Sequence, residues 1–387
     1  MAFSNVRVNT YVEQFSRNSI DFISKVYGVI AWLLGINRLT ILFKLGVKYQ
    51  IIVLAYSFFI NMLIFYCVLK SNTSQFYLKL VNVTEYLICA IIAIIYNGTI
   101  LKFYEGIFKF DSEIMSKKVM TSKSVINCLQ GLFNLILVVI LNIWRKSIEH
   151  LDNVTLELLP EQLSHVWELH YYGHLFGFIK LRLKYVRILL LTSFPTNDMM
   201  RCSESDFINY KEKYIAKLVN NNKNVSVRKL LNLYSKIITI YDLLNSALHW
   251  QLLLIISTTF LVMLVWAYEA ALHVIYNEYT WLEGLFDVAM FLAVFGPIFT
   301  ICKEGQGIHD EVILLQTALY TRIYKNYFDK KNRSIARSLL ELTEVRSLSF
   351  SVFRIFNLNI SFPFKFFGLL ASYLVILLQF KKVTNFK

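Results

Sequence analysis

The chain has 387 residues, of which 56% are hydrophobic, 16% aromatic and only 17% charged, and its net charge is +14. A soluble globular protein averages about 45–50% apolar and about 25% charged residues, so this composition excludes an ordinary soluble domain. The apolar residues occur in runs of about twenty, the length that a helix needs to cross roughly 30 Å of hydrocarbon. The sequence therefore predicts an all-α membrane protein.

The first eighteen residues contain Arg7, Glu13 and Arg17 and no apolar core, so no cleavable signal peptide is expected. The five cysteines are scattered, which argues against a disulfide framework and a zinc site. The sequence contains no glycine-rich nucleotide loop, no nucleophile elbow and no His-Glu-x-x-His helix. We therefore expect no enzyme activity, no metal, no cofactor and no nucleic-acid partner.

Seven apolar stretches are long enough to be transmembrane helices: residues 50–70, 82–102, 122–146, 159–190, 238–271, 282–303 and 356–380. A further run, 26–43, is interrupted at Asn37 and Arg38, and we interpret it as an interfacial or re-entrant helix before the first span. Apolar residues keep helical spacing through 203–236 and 308–350, which predicts long helices that continue into a bundle outside the bilayer. Solvated loops are the alternative for these two segments.

The distribution of Lys and Arg orients these helices. If the N-terminus is cytoplasmic, the inner segments contain 24 Lys and Arg and the outer segments contain 4. Positive residues accumulate on the cytoplasmic side, so a cytoplasmic N-terminus and an extracellular C-terminus are predicted. Asn72 and Asn153 then begin glycosylation sequons in the first two outer loops.

This topology divides the chain into seven parts. They are a cytoplasmic N-terminal segment with the interfacial helix (1–48), transmembrane helices one to four (49–190), a cytoplasmic helical segment (191–237), transmembrane helices five and six (238–303), a second cytoplasmic helical segment (304–352), transmembrane helix seven (353–380) and an extracellular tail (381–387).

Polar and aromatic residues within the apolar stretches are candidates for a ligand site, because polar groups are costly in lipid and usually face a cavity or another helix. Under the predicted topology they meet at the outer depth of the bilayer. Rings and acids together suit a small organic ligand, and an aromatic belt at the interface is the alternative for each ring. The candidate pocket residues are Glu85, Tyr86, His165, Trp167, His170, Tyr171, Trp266, Tyr268, Glu269 and Trp281.

The seventh stretch ends in a lone amide, Gln379, followed by Phe380. Such an amide either hydrogen-bonds a neighbouring helix or lines a water path. If several copies of this helix surround an axis, the Gln379 amides form a polar ring, and Phe380, Leu377 and Ile376 form a hydrophobic constriction that can gate by dewetting. The helix shows no ring of acids, so we expect loose selectivity for cations.

The run SYLVILLQF over residues 372–380 resembles the terminal signature of insect gustatory receptors, which is Thr-Tyr, five apolar residues and Gln-Phe. Weaker similarity lies at 27–35 and 230–251, and the layout of apolar stretches is similar over nearly the whole chain. Ser372 stands where the family usually has Thr, which keeps the hydroxyl and removes one methyl group.

The resemblance implies a tetrameric, ligand-gated, non-selective cation channel that opens when a small-molecule tastant binds. The tetramer would lie among the lipids of the plasma membrane of a sensory neuron dendrite. It would consist of this chain alone or of this chain together with other gustatory receptor subunits. It places Gln379 and Phe380 at the pore constriction. Ser372 and Tyr373 begin the motif, where they could couple pocket to gate; simple helix packing is the alternative for Ser372.

Two other classes of protein are weaker alternatives. A G-protein-coupled receptor also has seven helices, but its orientation would place the 24 Lys and Arg outside the cell. A secondary transporter would show internal repeats and helices broken by Gly or Pro, whereas the chain contains 4 Pro.

Overall fold

The computed structural model describes residues 24–36, 47–70, 76–114, 120–149, 159–194, 225–275, 281–346, 348–353 and 355–384. Within them the chain forms ten helices and one short β-hairpin. The helices are α1 (24–33), α2 (Val47–Lys70), α3 (Phe76–Ile95), α4 (Asn97–Ile114), α5 (Met120–Glu149), α6 (Leu159–Ser193), α7 (Val227–Ile275), α8 (Trp281–Tyr324), α9 (Lys330–Val345) and α10 (Phe362–Thr384), with strands β1 (Ser351–Val352) and β2 (Phe356–Asn357). The predicted sequons at Asn72 and Asn153 lie outside the described residues.

The two longest helices continue well past their apolar stretches. α7 has 49 residues and α8 has 44, and at 1.5 Å per residue α7 is about 70 Å long. At the start of α7, the side chains of Leu230, Leu233 and Ile237 are buried. These positions follow the helical spacing seen in the sequence, and α9 packs against this region of α7 and against α8. Residues 203–224 of the first predicted helical segment lie outside the described residues, and the position of the remainder outside the bilayer stays a prediction.

Among the described residues, three helices are long and apolar enough to cross a membrane by length and composition: α7, α8 and α10. The bent pair α3 and α4 would make a fourth if it counts as one broken span. α2 and α5 contain shorter apolar segments, Ile51–Tyr66 and Cys128–Ile143. A count of seven spans requires α2, α5 and the more polar α6 to cross as well.

The second predicted span, 82–102, is not one straight helix. It bends by 56° between α3 and α4, at Tyr96. The next two residues are Asn97 and Gly98, which are poor helix formers: Asn hydrogen-bonds nearby backbone, and Gly loses most backbone entropy. The amides of Thr99 and Ile100 donate to the Tyr96 carbonyl at 3.0 Å, which keeps the backbone paired through the bend.

α6 is the central helix of the bundle and packs against α3, α5, α7 and α8. Three of its basic residues form ion pairs with neighbouring helices. Arg182, whose side chain is 1% exposed, lies 2.5 Å from Asp111 of α4. Two further pairs join α6 to α8: Arg187 with Glu311 at 2.8 Å, and Lys180 with Glu304 at 3.2 Å. Because a buried charge without a partner is costly, these pairs fix α6 against α4 and α8.

α1 is the described part of the segment 26–43 that we interpret as an interfacial or re-entrant helix; residues 37–43 lie outside the described residues. Its side chains Tyr27 and Ala31 are buried in the main core. The indole N–H of Trp167 in α6 donates to the Tyr27 carbonyl at 3.1 Å. The Tyr27 ring stacks on His174 and is tilted by 32° to the Trp167 ring, so one face of α1 packs on α6. Its position relative to the membrane stays a prediction.

The last predicted span also begins later than expected. Residues 356–357 belong to the β-hairpin, α10 begins at Phe362, and it continues to Thr384, beyond the predicted end at 380. The segment before α10 packs closely on α8: a Cβ at Gly305 would lie 2.6 Å from the carbonyl oxygen of Leu358. Glycine at 305 therefore permits the backbone just before α10 to approach α8 this closely.

Candidate functional site

A cavity lies among α3, α6, α7 and α8. Ile36, which follows the turn at the end of α1, also lines it. The volume of this cavity is about 50 Å³, counted as the space that the centres of water molecules can occupy. A single water needs roughly 10–15 Å³ by this measure, so the cavity has room for several waters or a small organic molecule. It is lined by Ile36, Asn82, Glu85, Tyr86, Cys89, Gln162, Ser164, His165, Glu168, Ile255, Thr259, Val262, Trp266 and Val294.

A hydrogen-bonded chain of three side chains joins three helices at the cavity. His165 Nδ1 in α6 lies 2.9 Å from Glu85 Oε1 in α3. His165 Nε2 lies 2.9 Å from the Thr259 hydroxyl in α7. That hydroxyl donates to the Ile255 carbonyl at 2.6 Å. Since a hydroxyl has a single hydrogen to donate, the Thr259 oxygen accepts from His165, and Nε2 carries a proton.

A second buried chain runs beside the first. Glu168, 1% exposed, lies 2.7 Å from the Tyr172 hydroxyl. The same hydroxyl lies 3.0 Å from Gln251 Oε1 in α7, and Gln251 Nε2 donates to the Cys89 carbonyl at 3.1 Å. These contacts join α3, α6 and α7 beside the cavity.

The turn after α1 forms one wall of the cavity. Gly35 has φ +86°, which favours glycine, and a Cβ there would clash with the Tyr86 hydroxyl. The Tyr86 hydroxyl donates to the Leu34 carbonyl, and Asn61 Nδ2 donates to the Gly35 carbonyl at 3.2 Å. Side chains from α2 and α3 thus hold this turn in place, and Ile36 beside it faces the cavity.

The structure brings together four of the ten candidate pocket residues: Glu85, Tyr86, His165 and Trp266 all line the cavity. The other six lie elsewhere. Trp167 is buried against α1, His170 lies 2.7 Å from Asn134 of α5, and Tyr171 lies 3.3 Å from the Tyr104 hydroxyl of α4. Tyr268 and Glu269 lie further along α7, and Trp281 is 76% exposed at the start of α8. A helix turns 100° per residue, so neighbours in the sequence face different partners.

Several residues at the cavity were absent from the sequence-based set. Gln162 and Glu168 follow from the same signal that singled out His165, because they are polar residues in the same stretch of α6. Thr259 gives no such signal, since a lone threonine in an apolar helix commonly bonds its own backbone. Ser164, Cys89 and Asn82 also join the cavity only through the packing of separate helices.

The predicted pore residues lie on a helix that packs little against the rest of its own chain. In the apolar part of α10, 22% of the residues are buried, compared with 44% in that of α7 and 50% in that of α8. Gln379, Ile376 and Leu377 are exposed, and Phe380 is 67% exposed. The Ser372 hydroxyl donates to Gly368 of the same helix at 2.9 Å. The exposed face of α10 is therefore available to contact lipid, water or another chain.

Aromatic rings connect the cavity helices to α10. Phe260 follows Thr259 in α7, and its ring centroid lies 5.9 Å from that of Tyr373 in α10. Phe295 follows the cavity residue Val294 in α8, and it lies 4.6 Å from Phe367. On both α7 and α8, one residue faces the cavity and the next residue packs against α10.

A family model described as 7tm Chemosensory receptor matches residues 22–384. No curated protein is similar to the chain in sequence. Among solved structures, the fold is similar to the insect olfactory receptor OR5 from Machilis hrabei in complex with eugenol. The TM-score is 0.60 at 13% identity, over 94% of this chain and 99% of that one. A second structure of the same receptor gives a TM-score of 0.56 at 14% identity, over 92% and 97%.

The arrangement is thus that of a helical membrane receptor with the fold of an insect olfactory receptor. Because the family model covers almost the whole chain, the chain belongs to the seven-transmembrane chemosensory receptor family. This confirms the resemblance read from the terminal motif. The family is one of receptors and is not an enzyme family.

Replacing Thr259 by Val is expected to destabilise the protein, because the partly buried His165 Nε2–H loses its acceptor while the side chain at position 259 keeps its shape. The cost expected for an unsatisfied buried donor is about 1–3 kcal/mol. Thermal unfolding of the purified protein measures it. Thr258→Val is the matched control, since the Thr258 hydroxyl bonds only to carbonyls of its own helix, Leu254 and Ile255. Equal melting temperatures for the two variants would contradict the assigned network.

Proposed function

We propose that the chain is a gustatory receptor subunit of a tetrameric, ligand-gated, non-selective cation channel. A small-molecule tastant would bind in the cavity among α3, α6, α7 and α8, and α10 would line the pore. The observation that carries the proposal is the adjacency of cavity and α10 contacts on α7 and α8, at Thr259–Phe260 and Val294–Phe295. The OR5 structure from Machilis hrabei with eugenol supports a small organic ligand.

Movement at the cavity would reach α10 through these aromatic contacts. Successive residues of a helix point roughly 100° apart, so α7 touches the cavity with Thr259 and touches Tyr373 with Phe260. Closely packed side chains transmit a displacement because the interior has little free volume. A ligand that separates α6 from α7 would therefore shift the rings that hold α10, and the pore would open.

The pore assignment rests on the end of α10. A single apolar helix that exposes Gln379 and Phe380 away from its own chain has an unsatisfied amide if lipid surrounds it, and such groups are costly in hydrocarbon. Four copies around an axis would turn the Gln379 amides to a water path and place Phe380, Leu377 and Ile376 at a constriction. The tetramer itself follows from the resemblance to gustatory receptors.

The proposed orientation has the N-terminus in the cytoplasm and the C-terminus outside the cell, in the plasma membrane of a sensory neuron. The bias of 24 Lys and Arg against 4 supports it. The terminal Gln-Phe motif favours a gustatory role over an olfactory one.

Substitution at the constriction is expected to change the current. In Phe380→Ala the hydrophobic barrier widens, so basal current should rise, and in Gln379→Ala the permeability ratio among cations should shift. Patch-clamp recording of cells that express the chain, during a tastant screen, measures both. Leu369→Ala, an exposed residue earlier on α10, is the control. Currents unchanged in both variants would refute the pore assignment.

Loss of the ring at Phe260 is expected to weaken the coupling between ligand and pore. An aromatic pair contributes about 0.5–1.5 kcal/mol, so Phe260→Ala should raise the half-maximal agonist concentration roughly two- to tenfold. Dose–response curves at matched surface expression measure this. Phe133→Ala, an exposed ring on α5, is the control; an equal shift in that variant would count against a specific contact.

The orientation has an independent test. An epitope fused after Lys387 should be stained by antibody on intact cells that express the chain, and an epitope before Met1 should be stained only after permeabilisation. The positive charge of the inner segments is the physical reason. The reverse pattern would remove the proposed topology.

A further inference from the structure

Glu85 is a carboxyl group in the wall of the cavity. Its side chain is 10% exposed and its Oε1 is held by His165 at 2.9 Å. The second oxygen, Oε2, has no hydrogen bond with any residue that the structure describes, and Glu85 is one of the residues that line the cavity. Because Glu85 lines the cavity, a ligand or a water in the cavity is expected to donate to this oxygen.

The hydrogen bonds of His165 determine whether Glu85 Oε2 can accept a hydrogen bond. Because Nε2 carries a proton toward Thr259, one further proton lies between Nδ1 and Glu85 Oε1. With that proton on Nδ1, the pair is an imidazolium and a carboxylate; with it on Oε1, both groups are neutral. The pair has zero net charge in either arrangement, and Oε2 is a hydrogen-bond acceptor in both.

The other residues that line the cavity determine its shape and its charge. Tyr86 and Trp266 supply aromatic faces, and Ile255, Val262 and Val294 supply aliphatic ones. A second acid, Glu168, also lines the cavity, and no Lys or Arg is among the fourteen lining residues. An anionic ligand would therefore meet carboxyl oxygens with no Lys or Arg to offset its charge, because His165 is already paired with Glu85.

We propose that the cavity selects small, largely apolar molecules that contain one O–H or N–H donor, which donates to Glu85 Oε2. This selectivity rests on the proposed ligand pocket and names the chemical class that the pocket takes. Molecules whose polar end only accepts hydrogen bonds, and carboxylates above all, are rejected because they leave Oε2 without a partner.

The test uses the full chain purified in detergent micelles and four one-ring probes of similar size: benzyl alcohol, benzylamine, toluene and benzoate. Each probe is titrated while the melting temperature is followed, since a ligand that binds the folded state stabilises it in proportion to the logarithm of its concentration. Val294→Phe, which fills the cavity, shows how much of each shift comes from the micelle. Benzyl alcohol and benzylamine are expected to bind roughly ten- to a hundredfold more tightly than toluene, the range for a hydrogen bond to a charged group.

Two substitutions at position 85 separate the roles of shape, acceptor and charge. Glu85→Met keeps the volume and removes the acceptor, so the preference for benzyl alcohol over toluene should disappear. In Glu85→Gln the amide donates to His165 Nδ1 and its carbonyl oxygen still faces the cavity. Benzyl alcohol should then bind within a few-fold of the wild type, while benzylamine loses roughly tenfold. Glu105→Gln, an exposed acid on α4, should leave all four affinities unchanged.

Three outcomes would overturn the inference in distinguishable ways. If toluene or benzoate binds as tightly as benzyl alcohol, the pocket stands and the donor preference is wrong. If the preference persists in Glu85→Met, another residue accepts the hydrogen bond. If no probe stabilises the wild type more than Val294→Phe, the cavity is not a ligand pocket, and that part of the proposed function fails with it.

Discussion

The burial of a polar helix is the constraint on which the rest of this structure depends. α6 is surrounded by α3, α5, α7 and α8, yet its inward positions include His165, Glu168 and Arg182. Inside a bundle each of these groups needs a partner, because an unpaired buried charge or donor costs several kcal/mol. The partners come from different helices, so the pairing of α6 determines how its neighbours are arranged.

The two ends of α6 meet this constraint in different ways. Toward its C-terminus, Arg182, Arg187 and Lys180 are neutralised by Asp111, Glu311 and Glu304, which leaves a tight, charge-paired layer. Toward its N-terminus, the side chains of Glu85, His165 and Thr259 satisfy one another around an open space. Here the polar side chains are paired, but the space beside them is not filled, and a cavity results. A ligand in this cavity can complete the network by donating a hydrogen bond to Glu85.

The sequence predicted the helical segments well where the apolar pattern was long, as in α7 and α8, because burial in lipid or in a bundle imposes the same periodicity. It also identified Glu85 and His165, since a charged or titratable residue within an apolar stretch stands out. It did not predict the bend at Tyr96 or the late start of α10. Neither changes the hydropathy pattern: the bend lies inside an apolar stretch, at Asn97 and Gly98, and the segment before α10 contacts Gly305 of α8 through its backbone.

By itself, the sequence determined that the protein is a helical membrane protein of the chemosensory receptor family. Apolar length, charge bias and the terminal Gln379–Phe380 motif are local properties of the chain. Only the tertiary structure decided which polar residues share a site. Trp167 and His170 neighbour His165 in sequence but turn to α1 and α5, whereas Thr259, nearly a hundred residues away, accepts its hydrogen bond. A helix distributes adjacent residues around its axis, and only the positions of the surrounding helices determine which partner each residue meets.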